Sequence, residues 1–297
     1  MGEEKNMTNV SVITDSVAGI PREMAKQYNI TVVPAAHILY NGRNYTEGED
    51  LSISEAYALI EKDPDRFVTS AISPAFLVNI YRDLSLKTDN ILFITLSGAL
   101  SAVSKTAQTA AEFFGQESPK TVIRVFDSKT CAGAQGLITL AAAKATVKGM
   151  NLNEVTEIAQ KVKDNMGYLA MLDTLRYVYR TGRMSKLASR MAALFSIKPI
   201  SRVSKQGTLD YVTRTRNRED GMNKMIELIK QESNTKALHF WVMHADAPDI
   251  ADQFIKKIKD NFDCLSMTNS EYSPVMGYGT GRKAISVGFH PELILPV

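Results

Sequence analysis

Hydroxyl groups follow the apolar segments that this sequence predicts to be β-strands. In the plainest case, residues 91–96 form a largely apolar run, Ser97-Gly98 comes directly after it, and a helical pattern begins at once. Ligands of open α/β sheets bind at the carboxyl ends of the strands, and the N-terminus of a helix favours an anion. The turn therefore indicates an anion site, in which Ser97 either holds the anion or reacts with it.

Similar side chains occur in three other segments that are expected to end strands. These segments are Thr14-Asp15-Ser16, Thr69-Ser70 and Asp127-Ser128. Serine, threonine and aspartate also cap helices routinely, so one such segment alone means little. Four of them in one α/β region indicate a polar rim at the carboxyl edge of the sheet.

Ser97 lacks the surroundings of a catalytic nucleophile. Leu96-Ser97-Gly98 does not have the Gly-x-Ser-x-Gly frame of a nucleophile elbow, and the sequence has no Walker phosphate loop. An enzyme nevertheless stays an alternative. Asp15 and Asp127 would then act as acid, base or metal ligand on a small phosphorylated or carboxylated substrate.

Composition and motif spacing argue against several other classes of protein. Hydrophobic residues make up 44% of the 297 positions, yet no apolar run approaches the roughly 20 residues of a membrane span. Residues 1–5 are polar and resemble no signal segment, so we expect a cytoplasmic protein without stable membrane insertion. Cys131, Cys264 and the four scattered histidines lack metal-ligand spacing, so no metal is expected.

Positive charge is concentrated in one segment, residues 176–218, where only Asp210 opposes it. Its eleven basic residues are Arg176, Arg180, Arg183, Lys186, Arg190, Lys198, Arg202, Lys205, Arg214, Arg216 and Arg218. Such a segment is either a solvated face or a docking surface for an acidic partner or a phosphate. A regulator that binds nucleic acid is a third interpretation, but the aromatic–basic interleaving of a known nucleic-acid module is absent.

The elements that position these residues fall into two halves. Strands alternate with helices in the first half, which predicts an α/β fold with a parallel, doubly wound, Rossmann-like sheet over residues 1–165. Residues 166–297 are expected to form a mixed α/β domain. In it, residues 197–203 and 209–213 form a hairpin around Gly207, and two late strands flank a glycine turn at residues 277–281.

An ordered set of short motifs resembles the DegV family over residues 10–289. Its members are the four hydroxyl-bearing segments together with Thr181-Gly182-Arg183-Met184-Ser185, Ile197-Lys198-Pro199-Ile200 and Ser273-Pro274-Val275-Met276-Gly277. The resemblance implies two domains that hold one long-chain fatty acid between them. It also implies a carrier without catalytic residues or cofactors, which delivers the fatty acid to a separate ATP-dependent kinase. That kinase phosphorylates the carboxylate, and the acyl phosphate enters phospholipid synthesis.

The physics of a fatty acid agrees with that expectation. Burial contributes about 0.8 kcal/mol per methylene, so a chain of ~16 carbons offers on the order of 12 kcal/mol before its immobilisation is subtracted. The carboxylate needs partners, because an unpaired buried charge costs several kcal/mol.

The resemblance also assigns roles to individual residues. It implies that Thr69 and Ser97 contact the carboxylate directly, with Ser70 able to supply a further charge-assisted hydrogen bond. Arg183 and Arg214 match basic positions that the family uses to dock its partner.

Two departures from the family pattern affect this assignment. The family turn Thr-Ser-Gln-Pro reads Thr69-Ser70-Ala71-Ile72 here. A later family histidine, which helps bind the carboxylate, is replaced by Gly279. Either Thr280, Arg282 or water then completes the carboxylate shell, or the head-group specificity has changed. We hypothesise that Arg282 completes the shell, since a guanidinium can pair with a carboxylate bidentately.

Overall fold

The computed structural model describes residues 10–47, 50–184 and 197–293. Within these ranges the chain forms three β-sheets and the helices that cover them. Residues 1–5, Ser185 and the basic residues Lys186 and Arg190 lie outside the described residues.

The elements are numbered along the chain. The strands are β1 Ser11–Asp15, β2 Ile30–Val33, β3 Ala36–Tyr40, β4 Arg43–Thr46, β5 Phe67–Ala71, β6 Asn90–Thr95, β7 Val122–Asp127, β8 Gly167–Met171, β9 Lys198–Val203, β10 Leu209–Thr215, β11 Ala237–His244, β12 Asp263–Glu271 and β13 Ile285–Pro291. The helices are α1 Arg22–Gln27, α2 Ile53–Lys62, α3 Pro74–Ser85, α4 Val103–Glu117, α5 Ala132–Val147, α6 Leu152–Asp164, α7 Arg176–Thr181, α8 Arg218–Glu232, α9 Pro248–Asn261 and α10 Pro274–Thr280.

The first sheet is parallel, in the order β2-β1-β6-β7. Residues on its two faces belong to different parts of the core: Ile13 and Phe93 pack with α3 and α4, whereas Val12 and Ile94 pack with α5 and α6. Both faces are covered, which explains why β1 and β6 read as continuous apolar runs. The predicted parallel, doubly wound sheet is confirmed.

A six-stranded sheet occupies the second half, in the order β10-β9-β8-β13-β11-β12. It is mixed, because β11 and β12 are parallel and the other pairs are antiparallel. The expected hairpin is present as β9 and β10. Helices α8 and α9 cover one face with an apolar core, so the predicted mixed α/β class is confirmed for this half.

Helix α5 lies between the two large sheets. It is buried almost all round, as expected of a helix with apolar or small residues on every face. A β-carbon at Gly133 would lie 2.6 Å from the backbone oxygen of Trp241 in β11, so only glycine permits this approach. The small residues of α5 thereby let one helix pack against both sheets.

Two segments differ from the sequence prediction. Thr69 and Ser70 do not follow a strand of the parallel sheet; they lie inside β5, in a small antiparallel sheet of order β4-β3-β5. Residues 277–281 are not a turn between strands, because α10 occupies Pro274–Thr280. Its N-cap is Ser273, whose hydroxyl accepts from the Met276 amide. The sequence pattern misplaced both segments. In short segments rich in glycine or hydroxyl residues, tertiary packing overrides the local preference for helix or turn. The bounds 1–165 and 166–297 stay a prediction.

Candidate ligand-binding cavity

A cavity lies where the small sheet, the carboxyl end of β6 and the mixed sheet meet. Its empty space is about 1060 Å³, counting the part that opens to solvent. Both halves of the chain contribute to the wall: Ala36 and Ala71 come from the small sheet, Ala170 from the mixed sheet and Met276 from α10.

Most of the wall is apolar. The apolar lining residues are Val17, Ala35, Ala36, Ala71, Leu96, Leu100, Ala102, Ala170, Leu172, Val178, Leu209, Val275 and Met276. The polar side chains in the lining are mostly hydroxyls, and Arg183 is its one charged residue among those described. The cavity therefore suits an elongated apolar molecule with a polar end.

Thr69 and Ser70 line the cavity from β5, where the antiparallel register pairs them with Ile38 and His37. Thr69 is half-buried and Ser70 is exposed. Among the described residues, neither hydroxyl has a hydrogen-bond partner. Both are therefore free to donate to a ligand oxygen.

Ser97 is fully buried, and the structure gives it protein partners. Its Oγ donates to the backbone oxygen of Gly207 at 2.8 Å and accepts from the Ala99 amide at 3.2 Å. Ser97 does not line the cavity, although its neighbour Leu96 does. Its hydroxyl joins the end of β6 to the β9–β10 turn and would have to leave Gly207 to reach a ligand.

The late glycine-rich segment lies against the cavity as part of α10. Gly279 and Thr280 both line it. The Thr280 hydroxyl already donates to the backbone oxygen of Met276 at 2.9 Å. A β-carbon at Gly279 would meet no atom within 4 Å, so open space stands where the family pattern has an imidazole.

Arg282 was expected to pair with the carboxylate of a ligand, but in the structure it pairs with acidic residues of the protein. Its guanidinium pairs with Glu61 at 3.1 Å and with Asp246 at 3.1 Å, and it lies over the ring of Tyr57. It does not line the cavity. Arg282 thus connects α2 to the loop after β11, since two protein carboxylates already neutralise it.

Arg183, which the sequence assigned to partner docking, is the one charged side chain among the described lining residues. It is exposed, and its guanidinium donates to the backbone oxygens of Thr181 at 2.6 Å and Leu100 at 3.4 Å. Its position in the wall had no signal in the sequence, because it depends on α7 packing beside the β6 turn. Arg214 is exposed on β10 and lies away from the lining.

Several positive charges of residues 176–218 are neutralised by acidic residues from outside that segment. Lys198 and Arg218 share Asp173, at 2.6 Å and 2.5 Å, and Arg202 pairs with Glu232 at 3.3 Å. Within the described ranges, no ion pair forms at Arg176, Arg183, Lys205, Arg214 or Arg216. The segment therefore combines cations paired with acidic residues from elsewhere in the chain and cations without an ion pair among the described residues.

Two buried carboxyl groups lie close to the cavity wall. Burial raises the pKa of Asp15 from 3.8 to about 7, against hydrogen bonds from the Leu96 amide (2.7 Å) and other donors. Burial also raises the pKa of Glu47, which accepts from the Val275 amide at 3.0 Å and from the Ser16 hydroxyl. Glu47 thereby connects α10 to the first half of the chain.

The alternative acid pair has no catalytic arrangement in the described residues. Asp15 is enclosed by its own donors, and Asp127 accepts from the amides of Gly98 at 3.2 Å and Lys129 at 2.8 Å. Across the same residues, no group of three or more His, Cys, Asp or Glu side chains is placed to hold a metal ion.

None of the described helices combines the length and apolar character needed to cross a bilayer.

The fold and this cavity agree with one family of proteins. The family model described as "Uncharacterised protein, DegV family" matches residues 9–292, so the chain belongs to the DegV family. Among its curated relatives, Protein DegV of Bacillus subtilis is 26% identical over 94% of this chain and 98% of its own length. A DegV domain-containing protein of Clostridium acetobutylicum is 26% identical over 95% of this chain and 98% of its own.

Solved structures share the fold at low sequence identity. A DegV family protein of Thermus thermophilus, described by its fatty acid binding, has a TM-score of 0.87 at 19% identity and covers 96% of this chain and 100% of its own. One from Eubacterium eligens, loaded with heptadecanoic acid, has a TM-score of 0.84 at 18% identity, covering 95% and 100%. Fatty acids are thus ligands of DegV-family structures.

Proposed function

We propose that this protein binds a long-chain fatty acid in the cavity and presents its carboxylate to a separate fatty acid kinase, which forms the acyl phosphate used in phospholipid synthesis. The observation that supports this most is the combination of an apolar wall with the unpartnered hydroxyls of Thr69 and Ser70. Family membership and the fatty-acid-loaded relatives point the same way. The protein is then a carrier, and catalysis belongs to its partner.

The acyl tail lies along the apolar wall in this proposal, and the carboxylate lies at β5. Thr69 and Ser70 donate charge-assisted hydrogen bonds to it. Arg183 supplies the positive charge, because it is the charged side chain in the described lining and two backbone oxygens already orient it. Ser97, Thr280 and Arg282, which the sequence assigned to the same anion, contribute only after leaving their present partners.

The kinase would recognise two exposed cations, one in the cavity wall and one on β10. Arg183 and Arg214 are exposed and have no ion pair among the described residues. A partner with a complementary acidic surface would gain on-rate and orientation from them. This surface keeps the docking role that the resemblance assigned to the two arginines.

Native mass spectrometry of the purified protein tests the proposal. We expect a retained mass of a C14–C18 fatty acid, in an amount close to one per chain. The double variant T69A/S70A should lose retained fatty acid and weaken binding of added fatty acid about tenfold or more, since two charge-assisted hydrogen bonds are removed. T106A, which removes a hydroxyl from α4 away from the cavity, is the matched control.

Two results would count against the proposal. An empty wild-type protein that binds no added fatty acid would overturn the ligand assignment. Retention by T69A/S70A equal to that of T106A would instead overturn the carboxylate seat, leaving the apolar cavity as the binding site.

A further inference from the structure

A second, polar cleft lies beyond the end of β7, behind the fatty-acid cavity. It has about 870 Å³ of empty space, counting the part open to solvent. Its walls come from the β7–α5 turn, the end of α6 and the β9–β10 turn, and Tyr168 belongs to the walls of both cavities. The cleft thus occupies the carboxyl edge of the parallel sheet, where α/β proteins bind ligands.

Three lysines from three separate elements reach this cleft: Lys129, Lys163 and Lys205. Within the described part of the chain, the Lys129 and Lys205 amines have no carboxylate partner. Lys163 donates to the backbone oxygen of Asp127 at 2.8 Å. Asp164 is the acidic side chain in the described lining, so positive charge exceeds negative charge there.

An unused hydroxyl lies in the same wall. Thr130 is only 6% exposed, and its Oγ1 is buried without a hydrogen-bond partner among the described residues. A buried hydroxyl without a partner costs free energy. Because Thr130 lines the cleft, a rotation of its side chain toward a bound oxyanion would satisfy the hydroxyl. Burial lowers the pKa of the Lys163 ammonium, and the charge of Lys129 lowers it further, whereas Asp127 and Asp164 both oppose this shift. A bound anion would reduce the repulsion between the Lys129 and Lys163 ammonium groups.

We infer that this cleft is a binding site for a phosphate group, held by Lys129, Lys163 and Lys205 with the Thr130 hydroxyl. A compact multivalent oxyanion uses several ammonium groups at once, whereas a single carboxylate satisfies fewer of them. The site is separate from the seat of the fatty-acid carboxylate at β5. The inference therefore does not depend on the proposed fatty-acid function.

Titration calorimetry with inorganic phosphate, at constant ionic strength in chloride, tests the site. We expect saturable binding to the wild type, weakened at least tenfold in the double variant K129M/K205M. Lys163 is left unchanged because it also supports the Asp127 backbone. K105M, which removes an exposed lysine on α4, is the matched control and should bind phosphate as the wild type does.

Four further measurements refine this test. T130V keeps the shape of Thr130 and should weaken phosphate binding severalfold without lowering the melting temperature. Methyl phosphate bound as tightly as inorganic phosphate identifies a phosphomonoester site, and weaker binding identifies a site for free phosphate. Absence of saturable binding, unchanged affinity in K129M/K205M, or acetate bound as tightly as phosphate would each overturn the inference. Retained fatty acid in the same variants reports the other site independently.

Discussion

Gly279 stands at the position where the family resemblance predicts a histidine. The position lines the cavity, and a side chain there would enter open space. The carboxylate of a fatty acid therefore meets hydroxyls and Arg183 instead of an imidazole in our proposal. The proposed carboxylate-binding site consequently has one hydrogen-bond donor fewer than a site that has the histidine.

Restoring the imidazole should strengthen fatty acid binding. In G279H the side chain enters the open space and can donate to the carboxylate, so we expect affinity to rise about tenfold. G279A is the matched control, since it adds a β-carbon to α10 without a donor. A fluorescent fatty acid displacement assay measures both, and equal affinities in the two variants would refute the idea that the missing donor limits binding.

Asp15 makes folding stability depend on pH through its burial. Its pKa is raised from 3.8 to about 7, so between those values the folded protein binds a proton that the unfolded chain has released. The stabilising effect of neutral Asp15 is complete below about pH 4 and is lost as the pH rises through 7. The lowered pKa values of the buried histidines, to about 4 for His290, act in the opposite direction.

The comparison of wild type with D15N isolates this effect. The histidines contribute equally to both proteins. Between pH 4.5 and 7.5 the free energy of unfolding of the wild type should therefore fall by about 3 kcal/mol relative to that of D15N. Urea unfolding at four pH values measures the difference. A constant difference would show that Asp15 titrates at the same pH in the folded and unfolded chain.

At the scale of elements, α10 depends on one buried carboxylate. Glu47 accepts from the Val275 amide in the first turn of α10 and from the Ser16 hydroxyl after β1. Because α10 supplies Val275, Met276 and Gly279 to the cavity, this contact sets the position of one whole wall.

Removing the Glu47 side chain should loosen that wall. We expect E47A to lower the free energy of unfolding by about 2–3 kcal/mol, since buried donors lose their acceptor. E47Q, which keeps an oxygen, should lose less. E112A on the exposed face of α4 is the control. Chemical denaturation of the three variants measures their free energies of unfolding. An E47A protein as stable as E112A would contradict the role.

The β9–β10 turn rests against the end of β6 through Gly207. That residue has φ of +87°, and a β-carbon there would lie 2.2 Å from the Ser97 Oγ. Only glycine satisfies both the left-handed backbone and the close approach.

Two glycine variants separate those two requirements. G149A introduces the same backbone strain at φ of +82° with no atom within 4 Å, and should cost about 1 kcal/mol. G207A adds a clash with Ser97 and should cost about 3 kcal/mol in all. Thermal and urea unfolding measure both. Equal losses would mean that Ser97 and the turn are not in firm contact.

At the scale of the molecule, the ligand and both halves of the chain should stabilise one another. The cavity wall comes from both halves, and α5 packs against both large sheets. A fatty acid at 100 times its dissociation constant stabilises the native state by about 2.7 kcal/mol. Removing it should therefore lower the melting temperature of the whole chain.

Two probes of the same transition test this coupling. Trp241, the single tryptophan, is fully buried in β11 of the mixed sheet, whereas far-ultraviolet circular dichroism reports on all elements. Delipidation should shift both melting curves downward by the same amount. A shift confined to one probe would show that the ligand stabilises only one half.

The sequence alone determined the elements whose patterns are long and regular. The alternation of strands with helices in the first half predicted a parallel sheet, and Gly207 between two short runs predicted the β9–β10 hairpin, because side-chain periodicity and turn chemistry are local properties. Motif order also identified the family. Thr69, Ser70, Gly279 and Thr280 were placed at the ligand by resemblance, and all four line the cavity.

Only the tertiary structure decided which of those polar side chains have partners within the protein and which line a cavity. Ser97 and Arg282 have the right chemistry for an anion, yet Gly207, Glu61 and Asp246 are their partners. Arg183 lies in the cavity wall, and three lysines from distant segments meet behind Tyr168. Which polar group stays free for a ligand depends on neighbours far apart in the chain, and no local pattern records those distances.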